Sequence, residues 1–338
     1  MAETIIDLNR LDITINLPIQ KFTELTLVKN NSILTIPITD ANQYIIKPSR
    51  RLTKMIVHLC KVGPWFYFED YHMALDIADV TILYNNKETL YNLEFKDPNL
   101  FFILSFDHRD NQILIPLETK NTIIINFEQL TDYGNYIVLR PLYDKGFQIV
   151  DYSYCHRHIL PNEIYLPYFY NEGEINHLEE LINENRGKWE HDVAAVCNGT
   201  PHRQEIEAKL KERGLKVLDV RGWREDRDKQ IAKCRILLNI HAHAENFTIA
   251  EHLRMNRWML ANMKIISEES DEQDSIDMFN VEFHPFDKLV DRVVEYFGSL
   301  QPESLFRCSS AEDLTTKRQI YREKCERQLQ IIIDKFNL

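Results

Sequence analysis

The chain has 338 residues, enough for two domains of ordinary size, and its 44% hydrophobic and 11% aromatic residues can fill a sizeable core. This composition argues against disorder as the main state. The formal net charge of -12 argues against a general nucleic-acid or anionic-membrane binder, because either would need a broad basic surface.

The first half of the chain begins with β-structure. Residues 1–48 are predicted to form strands without helices, with a hairpin around Lys29-Asn30-Asn31-Ser32. From Lys54 onward, apolar strand-like runs alternate with helical stretches, which is typical of a mostly parallel sheet with crossover helices. The runs are KMIVHLC, FFILSF, QILIPL and NTIIINF, followed by YIVLRPLYDKGFQIVDYS and EIYLPYFY. A short amphipathic helix that ends near Gly187 comes next, and we place a domain boundary at about Tyr170–Glu174.

The second half repeats the strand–helix alternation more regularly. Its strands are continuous apolar runs, as expected for a sheet buried on both faces, and they read VAAVC, KVLDV, RILLNI, KIIS and VEFH. Helices are predicted over Pro201–Gly214, around RDKQIAKC, over Thr248–Leu260 and over DKLVDRVVEYF. The last segment, from Ala311 to Leu338, is predicted to be a long polar helix.

The lack of a signal-peptide pattern and the scattered cysteines favour a cytoplasmic protein. The N-terminal stretch has no basic segment followed by an apolar one, and no run reaches the roughly 18 apolar residues of a membrane span. The six cysteines are widely scattered, so all are expected to be reduced. We expect no membrane span and no nucleic-acid partner, and no oligomeric state is predicted.

The nine glycines form neither a G-x-G-x-x-G fingerprint nor a P-loop, so any phosphate site must be built from other residues. In open parallel α/β sheets, ligands bind beyond the carboxyl ends of the strands, and three loops of the second half meet that condition. The first loop holds Asn198-Gly199 before Thr200, a natural N-cap, and Pro201, a natural first helical residue. Its free amides, with Arg203, could bind an anion. The alternative is a well-capped helix without a ligand.

The second loop, LDVRGWRED, places Gly222 and Trp223 after a strand end. Trp223 could cover a base or a sugar, or it could simply pack under the loop. Packing under the loop is the more common arrangement for a tryptophan in a loop.

The third loop runs from His241 to the helix that is predicted to begin at Thr248. His241, His243, Glu251 and His252 are suitable atom types for zinc. However, alternation along a strand directs the two rings of His241-x-His243 to opposite faces, and the helix lacks H-x-x-x-H spacing. The CHRH cluster at Cys155–His158 has no partner pair nearby. No metal site is therefore predicted.

Two interpretations of Glu251 remain open. Thr248 and Glu251 match a capping box, in which Arg254 and Arg257 would be solvated or would pair with acids. Alternatively, a carboxylate in the first helical turn can accept both hydroxyls of a ribose, and Arg254 would then face a diphosphate.

Two stretches of the chain resemble a known family. NTIIINFEQLTDYGNY, LYDKGFQIVDYSYCHRHILP and EIYLPYFY resemble the acceptor-side half of GT-B glycosyltransferases found in large DNA viruses and some bacteria. The shared pattern is an N-x-E-Q-L strand end, a hydrophobic-D-Y-S strand and a strand that ends in LPY. The segment from CNGTPHRQE to MKIISE is similar to the donor-binding half of that family. The resemblance covers roughly Asn121 to Glu268 and leaves residues 1–48 outside.

The resemblance implies an α/β fold with two Rossmann-like domains facing across a cleft. Residues 49–172 would form the acceptor-side domain, while residues 1–48, outside the resemblance, are predicted from their own pattern to form an N-terminal β-hairpin extension. Residues 173–310 would bind the nucleotide-sugar donor, and residues 311–338 would form a C-terminal helix that crosses back onto the first domain. The implied activity is metal-independent transfer of a sugar from a UDP- or GDP-sugar to a glycan hydroxyl. No cofactor beyond this co-substrate is expected.

The site residues follow position by position from the resemblance. Glu251 matches the ribose-binding glutamate, and Glu128 matches the cleft-facing end of its strand, which makes it the first candidate for a catalytic base, ahead of His241 and His72. The other expected donor-binding residues are Asn198, Gly199, Thr200, Arg203, Trp223, His241, Phe247, Thr248 and Arg254.

Two positions depart from the family pattern. Asn262 stands where these enzymes often have a glycine, and no glycine-rich loop is visible near Cys60–Trp65. A non-catalytic scaffold that binds a glycan or a protein is therefore the alternative function. A different Rossmann-type enzyme, using NAD or a methyl donor, is disfavoured because the glycine fingerprint is absent.

Overall fold

The protein is described by a computed structural model. The residues that it describes are 3–7, 15–16, 24–29, 32–37, 42–46, 56–60, 80–84, 102–105, 119, 122–126, 129–130, 135–161, 163–165, 172–196, 199–222, 224–242, 249–250, 252–271, 279, 281–299 and 311–336. The chain divides into two compact units. The first contains residues 1–151, 157–165 and 328–338, and the second contains residues 152–156 and 166–327.

A three-stranded sheet near the N-terminus belongs to the first unit. It consists of β1 (Glu3–Asp7), β3 (Glu24–Lys29) and β4 (Ser32–Pro37), in the order β1-β3-β4. Strands β3 and β4 pair antiparallel, with Lys29 opposite Ser32, so the predicted hairpin is confirmed. Leu25 and Leu27 alternate along β3 and are fully buried, as the period of two in a strand requires.

The first unit also contains an eight-stranded sheet with the order β11-β10-β9-β8-β6-β7-β5-β2. Its strands are β2 (Ile15–Asn16), β5 (Asn42–Ile46), β6 (Ile56–Cys60), β7 (Val80–Tyr84), β8 (Phe102–Ser105), β9 (Thr122–Asn126), β10 (Gln148–Asp151) and β11 (Ile164–Tyr165). Strands β6 to β11 pair in parallel, whereas β2 and β5 join antiparallel at one edge. The mostly parallel sheet is thus confirmed, and two strands from residues 1–48 extend it.

One segment of the first unit differs from its prediction. YIVLRPLYD, one of the strand-like runs of the sequence, forms the helix α1 (Asn135–Asp144). Leu139 and Leu142 lie one helical turn apart and are both buried, so packing favours a helix although Pro141 removes one amide donor. Gln112–Leu117, the predicted strand QILIPL, lies outside the described residues.

The second unit is built from a five-stranded parallel sheet with the order β13-β12-β14-β15-β16. Its elements are α2 (Glu172–Asn185), β12 (His191–Ala195), α3 (Pro201–Glu212), β13 (Val217–Asp219), α4 (Arg224–Ala232), β14 (Cys234–Asn239), α5 (His252–Leu260), β15 (Ile265–Glu268), β16 (Val281–His284), α6 (Phe286–Gly298) and the larger part of α7 (Ala311–Phe336). Each predicted strand of this half is therefore present.

Helices pack in two groups on the sheet of the second unit. Helices α3 and α6 contact each other and share an apolar cluster with the sheet that includes Ile206, Ile236 and Leu289. Helices α2, α4 and α5 form the other group. Numbered within the unit, the strand order is 2-1-3-4-5, which is the order of a doubly wound α/β fold. The predicted α/β class is confirmed.

The long helix α7 confirms the helix expected from Ala311 onward. Within the second unit, Tyr321 accepts a hydrogen bond from Nδ2 of Asn256 at 3.0 Å, and Arg318 donates from Nε to the carbonyl oxygen of Leu260 at 2.7 Å. Residues 328–336 of the same helix belong to the first unit. None of the helices in the described part of the chain is long and apolar enough to cross a membrane.

Candidate functional site

The strand order of the second unit selects one place for a ligand. From β12 the chain moves outward to β13 and then returns to the other side of β12 to form β14. In doubly wound sheets, the crevice for ligands opens at this reversal, beyond the carboxyl ends of the two strands. The connections that follow β12 and β14 carry Gly199, Thr200 and His241. These predicted residues therefore lie on the two connections that border the reversal.

The connection after β12 leads into α3 as the sequence predicts. Pro201 is the first helical residue, and Thr200 has the extended backbone of an N-cap, with φ -85° and ψ 156°. At the other end, Gly214 has φ +85° and the amide of Leu215 bonds to the carbonyl of Leu210 at 3.1 Å, as in a Schellman stop. The hydroxyl of Thr200, however, makes no capping hydrogen bond, and its Oγ1 is buried without a partner among the described residues.

Arg203 occupies a position that sequence reasoning did not anticipate. It is 4% exposed, and its Nε donates a hydrogen bond to the carbonyl oxygen of Ile240 at 3.0 Å. The side chain therefore joins the first turn of α3 to the residue that follows β14. This contact positions the start of α3, and anion binding by the guanidinium stays a prediction.

His241 lies at the end of β14 and is held at two points. Its backbone amide donates to Oε2 of Glu268 at 2.9 Å, and its ring Nε2 lies 2.7 Å from the carbonyl oxygen of Glu269. Because a carbonyl oxygen only accepts, the ring donates this hydrogen bond from Nε2. The residue is 2% exposed, and Nδ1 has no partner within the part of the chain that the structure describes.

Glu268 and His202 join this site although the sequence did not single them out. Nε2 of His202, in the first turn of α3, lies 3.0 and 3.1 Å from the two carboxylate oxygens of Glu268. The ring of His202 also stacks on Phe286 with centroids 3.8 Å apart. Glu268 is the last residue of β15. The strand-end rule that selected the loops after β12 and β14 would have found it.

The start of α5 corrects one prediction. The helix begins at His252, and Ile249 and Ala250 are buried in non-helical conformation. A helix that began at Thr248 would make both residues helical, so the predicted start of the helix is wrong. Burial of the two apolar side chains is a tertiary effect that overrides the local pattern. Thr248 and Glu251 lie outside the described residues, so the capping box and the ribose contact both stay predictions.

Arg254 and Arg257, both on α5, have different surroundings. Arg254 donates from a guanidinium nitrogen to Oδ1 of Asn239, the last residue of β14, at 3.0 Å. Arg257 is almost fully buried and forms ion pairs with Glu174 of α2, at 2.6 Å, and with Asp228 of α4. Arg254 thus reaches the strand end beside the site, while Arg257 links three helices.

Several predicted positions cannot be placed. Glu128, Asn198, Trp223, Phe247, Thr248, Glu251 and the reserve base His72 lie outside the described residues. Gly199 is exposed, and its carbonyl oxygen accepts a hydrogen bond from Nε2 of Gln204 at 3.2 Å. Within the described ranges, no three or more His, Cys, Asp or Glu residues form a group that could hold a metal ion.

A buried polar pair lies at the strand ends of the first unit. Asn126 ends β9 and Asp151 ends β10, and Nδ2 of Asn126 donates to Oδ2 of Asp151 at 2.7 Å. Both residues are fully buried, so each satisfies the polar group of the other, as buried polar groups require. These are the asparagine of the N-x-E-Q-L pattern and the aspartate of the D-Y-S pattern. The two motifs are therefore linked by a side-chain contact two residues before Glu128.

Two titratable groups of the second unit have strongly shifted pKa values, and neither belongs to the site. Burial raises the pKa of Glu282, but hydrogen bonds from Arg292, Lys264 and His284 outweigh this effect and lower the pKa to about 2. Burial raises the pKa of the Cys234 thiol to about 12. A thiol with such a pKa stays protonated at neutral pH, so Cys234 is an inert residue of β14.

Comparisons with known proteins give viral relatives. The chain is similar to three proteins of Acanthamoeba polyphaga mimivirus, which bear the names "Uncharacterized protein L140", "Uncharacterized protein L138" and "Uncharacterized protein L137". The first is 35% identical over 192 residues, which cover 54% of this chain and 62% of the relative. The second is 30% identical over 258 residues, which cover 70% of this chain and 28% of the relative. The third is 33% identical over 183 residues, which cover 51% of this chain and 24% of the relative.

The chain thus spans less than two thirds of the length of each of these relatives. No protein-family profile matches the chain. No solved structure matches it either.

Proposed function

We propose that the protein is a metal-independent glycosyltransferase whose donor, a UDP- or GDP-sugar, binds beyond the carboxyl ends of β12 and β14. The observation that carries the proposal is a pair of buried polar atoms at this place. Oγ1 of Thr200 and Nδ1 of His241 both have no partner among the described residues. A buried polar atom without a partner costs about 1–3 kcal/mol, so two of them at one sheet reversal favour a ligand that supplies the missing bonds.

The start of α3 suits the diphosphate of such a donor. Helix geometry leaves the amide of His202 without an intrahelical acceptor, and the helix dipole places partial positive charge at the start of α3. Phosphate groups bind helix N-termini for these reasons. The hydroxyl of Thr200, two residues before His202, can donate to the same anion. Developing charge on the leaving diphosphate would be stabilised in this way without a metal ion.

The roles of Glu128 and His241 separate under this proposal. Nε2 of His241 donates to the carbonyl oxygen of Glu269, which fixes the ring. Nδ1 remains for a contact with the donor. Glu128 remains the candidate base for an inverting reaction, and the buried Asn126–Asp151 pair holds the strand end two residues before it.

The direct test is turnover of nucleotide sugars. We expect hydrolysis or transfer with at least one UDP- or GDP-sugar, together with a rise in melting temperature when the matching nucleotide is added. The activity should persist in a chelator. If no nucleotide sugar is consumed and neither UDP nor GDP changes the melting temperature, the proposal is wrong.

A glycosyltransferase-like binding scaffold is the second candidate. The absence of any glycine between Gly63 and Gly134 favours it, because the acceptor half then lacks the glycine-rich loop of the related enzymes. The Glu128→Ala variant separates the candidates. A scaffold would bind the nucleotide sugar without multiple turnover in both forms, whereas an inverting enzyme would lose turnover in the variant and keep binding.

A further inference from the structure

We propose that Glu268 and His202 are a positioning pair of the donor site, which fixes His241 and the start of α3 relative to each other. This inference rests on the proposed function and extends it to residues that no sequence pattern selected. Neither residue needs to touch the substrate. Their effect is exerted through the groups that they hold in place.

The pair connects three segments that are distant in the sequence. Glu268 at the end of β15 accepts a hydrogen bond from the amide of His241 at 2.9 Å, 27 residues earlier in the chain. The same carboxylate lies 3.0 Å from Nε2 of His202, which is 66 residues away on α3. One carboxylate therefore holds both connections that border the reversal of strand order.

A second hydrogen bond joins the same two segments, α3 and the residues after β14. Arg203, the neighbour of His202, donates to the carbonyl oxygen of Ile240, the neighbour of His241. Two consecutive residues of α3 are thus tied to two consecutive residues after β14. Glu269, the neighbour of Glu268, binds the ring of His241 through its carbonyl oxygen. Because both the backbone and the ring of His241 depend on the end of β15, moving Glu268 displaces Nδ1.

The environment of the pair makes the geometry rigid. Glu268 is 8% exposed, and the ring of His202 lies flat on Phe286, with 17° between the ring planes. Hydrogen bonds to a charged group are shorter and stronger than neutral ones, and burial strengthens them further. Both carboxylate oxygens face His202, so an amide in place of the carboxylate would turn an N–H group toward a ring nitrogen that already carries a hydrogen.

The test compares Glu268→Gln with a control of similar chemistry, Glu282→Gln. Glu282, in the same sheet, accepts bonds from Lys264 at 2.5 Å and from Arg292 of α6 at 2.8 Å. It is not the last residue of its strand, and it forms no hydrogen bond with His241 or with the described residues of α3. The affinity for UDP and GDP is measured by calorimetry for the wild-type protein and both variants. Glu268→Gln should raise the Kd of the preferred nucleotide about tenfold or more, as misplaced binding groups do. Glu282→Gln should leave this Kd unchanged.

A third variant tests whether the two residues act as a unit. His202→Phe retains a ring to stack on Phe286 and removes the donor to Glu268. Its Kd should rise as in Glu268→Gln, and the double variant should bind no more weakly than either single variant. In a turnover assay, Glu268→Gln should raise KM and change kcat by less than about threefold, because a positioning residue does not contact the reacting atoms.

The outcomes separate the two proposals. If the wild-type protein binds neither UDP nor GDP, the proposed function fails, and the positioning pair fails with it. If the wild-type protein binds a nucleotide but Glu268→Gln binds it equally well, only the positioning pair is overturned. Additive losses in the double variant would also overturn it, since independent residues add and a coupled pair does not.

Discussion

Arg203 donates a hydrogen bond from its Nε to the carbonyl oxygen of Ile240, 3.0 Å away, and so joins the start of α3 to the end of β14. Both residues are almost fully buried. A carbonyl oxygen just past the end of a strand lacks a ladder partner unless another group donates to it. The guanidinium supplies this bond, and it fixes the direction in which the chain leaves the sheet.

Arg203→Met should therefore reduce stability. The substitution retains much of the apolar stem but leaves the carbonyl of Ile240 without its donor, which costs about 1.5–3 kcal/mol for a bond to a charged group. Unfolding in urea, followed by circular dichroism, measures the change. Arg213→Met is the control at the other end of α3, where Arg213 forms an exposed ion pair with Asp291 worth at most about 1 kcal/mol. Equal losses in both variants would contradict the assigned contact.

Asn262 gives a second stability prediction. It is the one non-glycine residue with positive φ among those described, at +68°. The amide of Met263 bonds to the carbonyl of Trp258 at 2.9 Å, which makes Asn262 the left-handed residue of a Schellman stop after α5. Asn262→Ala should cost about 1 kcal/mol in the free energy of unfolding, because alanine is strained in this region. Asn262→Gly should leave the free energy of unfolding unchanged or raise it. An unchanged free energy of unfolding in Asn262→Ala would show that the strain is absent.

The stability should also depend on the charge of Glu282. The folded protein lowers the pKa of this carboxyl from 4.5 to about 2, so the ionised form stabilises the folded state above about pH 4.5. This contribution is lost as the pH falls from about 4.5 to about 2. Urea unfolding at several pH values should give a shallower pH dependence for Glu282→Gln than for the wild type over this range. Glu212→Gln removes an exposed carboxylate from α3 as a control. Parallel curves for wild type and Glu282→Gln would refute the assignment.

Local sequence signals predicted much of the second unit but not the interior of its site. Thr200-Pro201 and Gly214 delimit α3 because backbone preferences at helix ends are local. The start of α5 was misplaced because the burial of Ile249 and Ala250 is a tertiary effect. Similarly, residue type indicated that Arg203 is basic, but only packing decides that its side chain points inward.

The strand-end rule applies to Glu268, but its contacts escape prediction for a related reason. Its two partners lie 27 and 66 residues away, and no spacing rule connects them. In contrast, the hairpin at Lys29–Ser32 and the parallel sheets follow from alternation and from the order of strands and helices. Sequence patterns therefore gave the elements and the edge of the sheet where the site lies, and they left its side-chain contacts undetermined.

Thr200 offers a test in which stability and ligand binding separate. Its hydroxyl forms no capping bond and is buried without a partner in the described ranges. Thr200→Val should thus leave the free energy of unfolding unchanged within about 0.5 kcal/mol, or raise it. The affinity for the nucleotide should fall roughly three- to tenfold, the value of one hydrogen bond. Thr200→Ser retains the hydroxyl and should bind like the wild type. A loss of stability in Thr200→Val, with unchanged nucleotide binding, would show that the hydroxyl of Thr200 is structural and does not contact the nucleotide.

Hydrogen–deuterium exchange with and without a saturating nucleotide tests the location of the donor site most directly. Two segments should exchange more slowly when UDP or GDP is bound: residues 199–204, at the start of α3, and residues 239–242, at the end of β14. Residues 281–298, which carry Glu282, should be unaffected. Protection that is confined to other parts of the chain, or no protection at saturation, would contradict a nucleotide site at the carboxyl ends of β12 and β14.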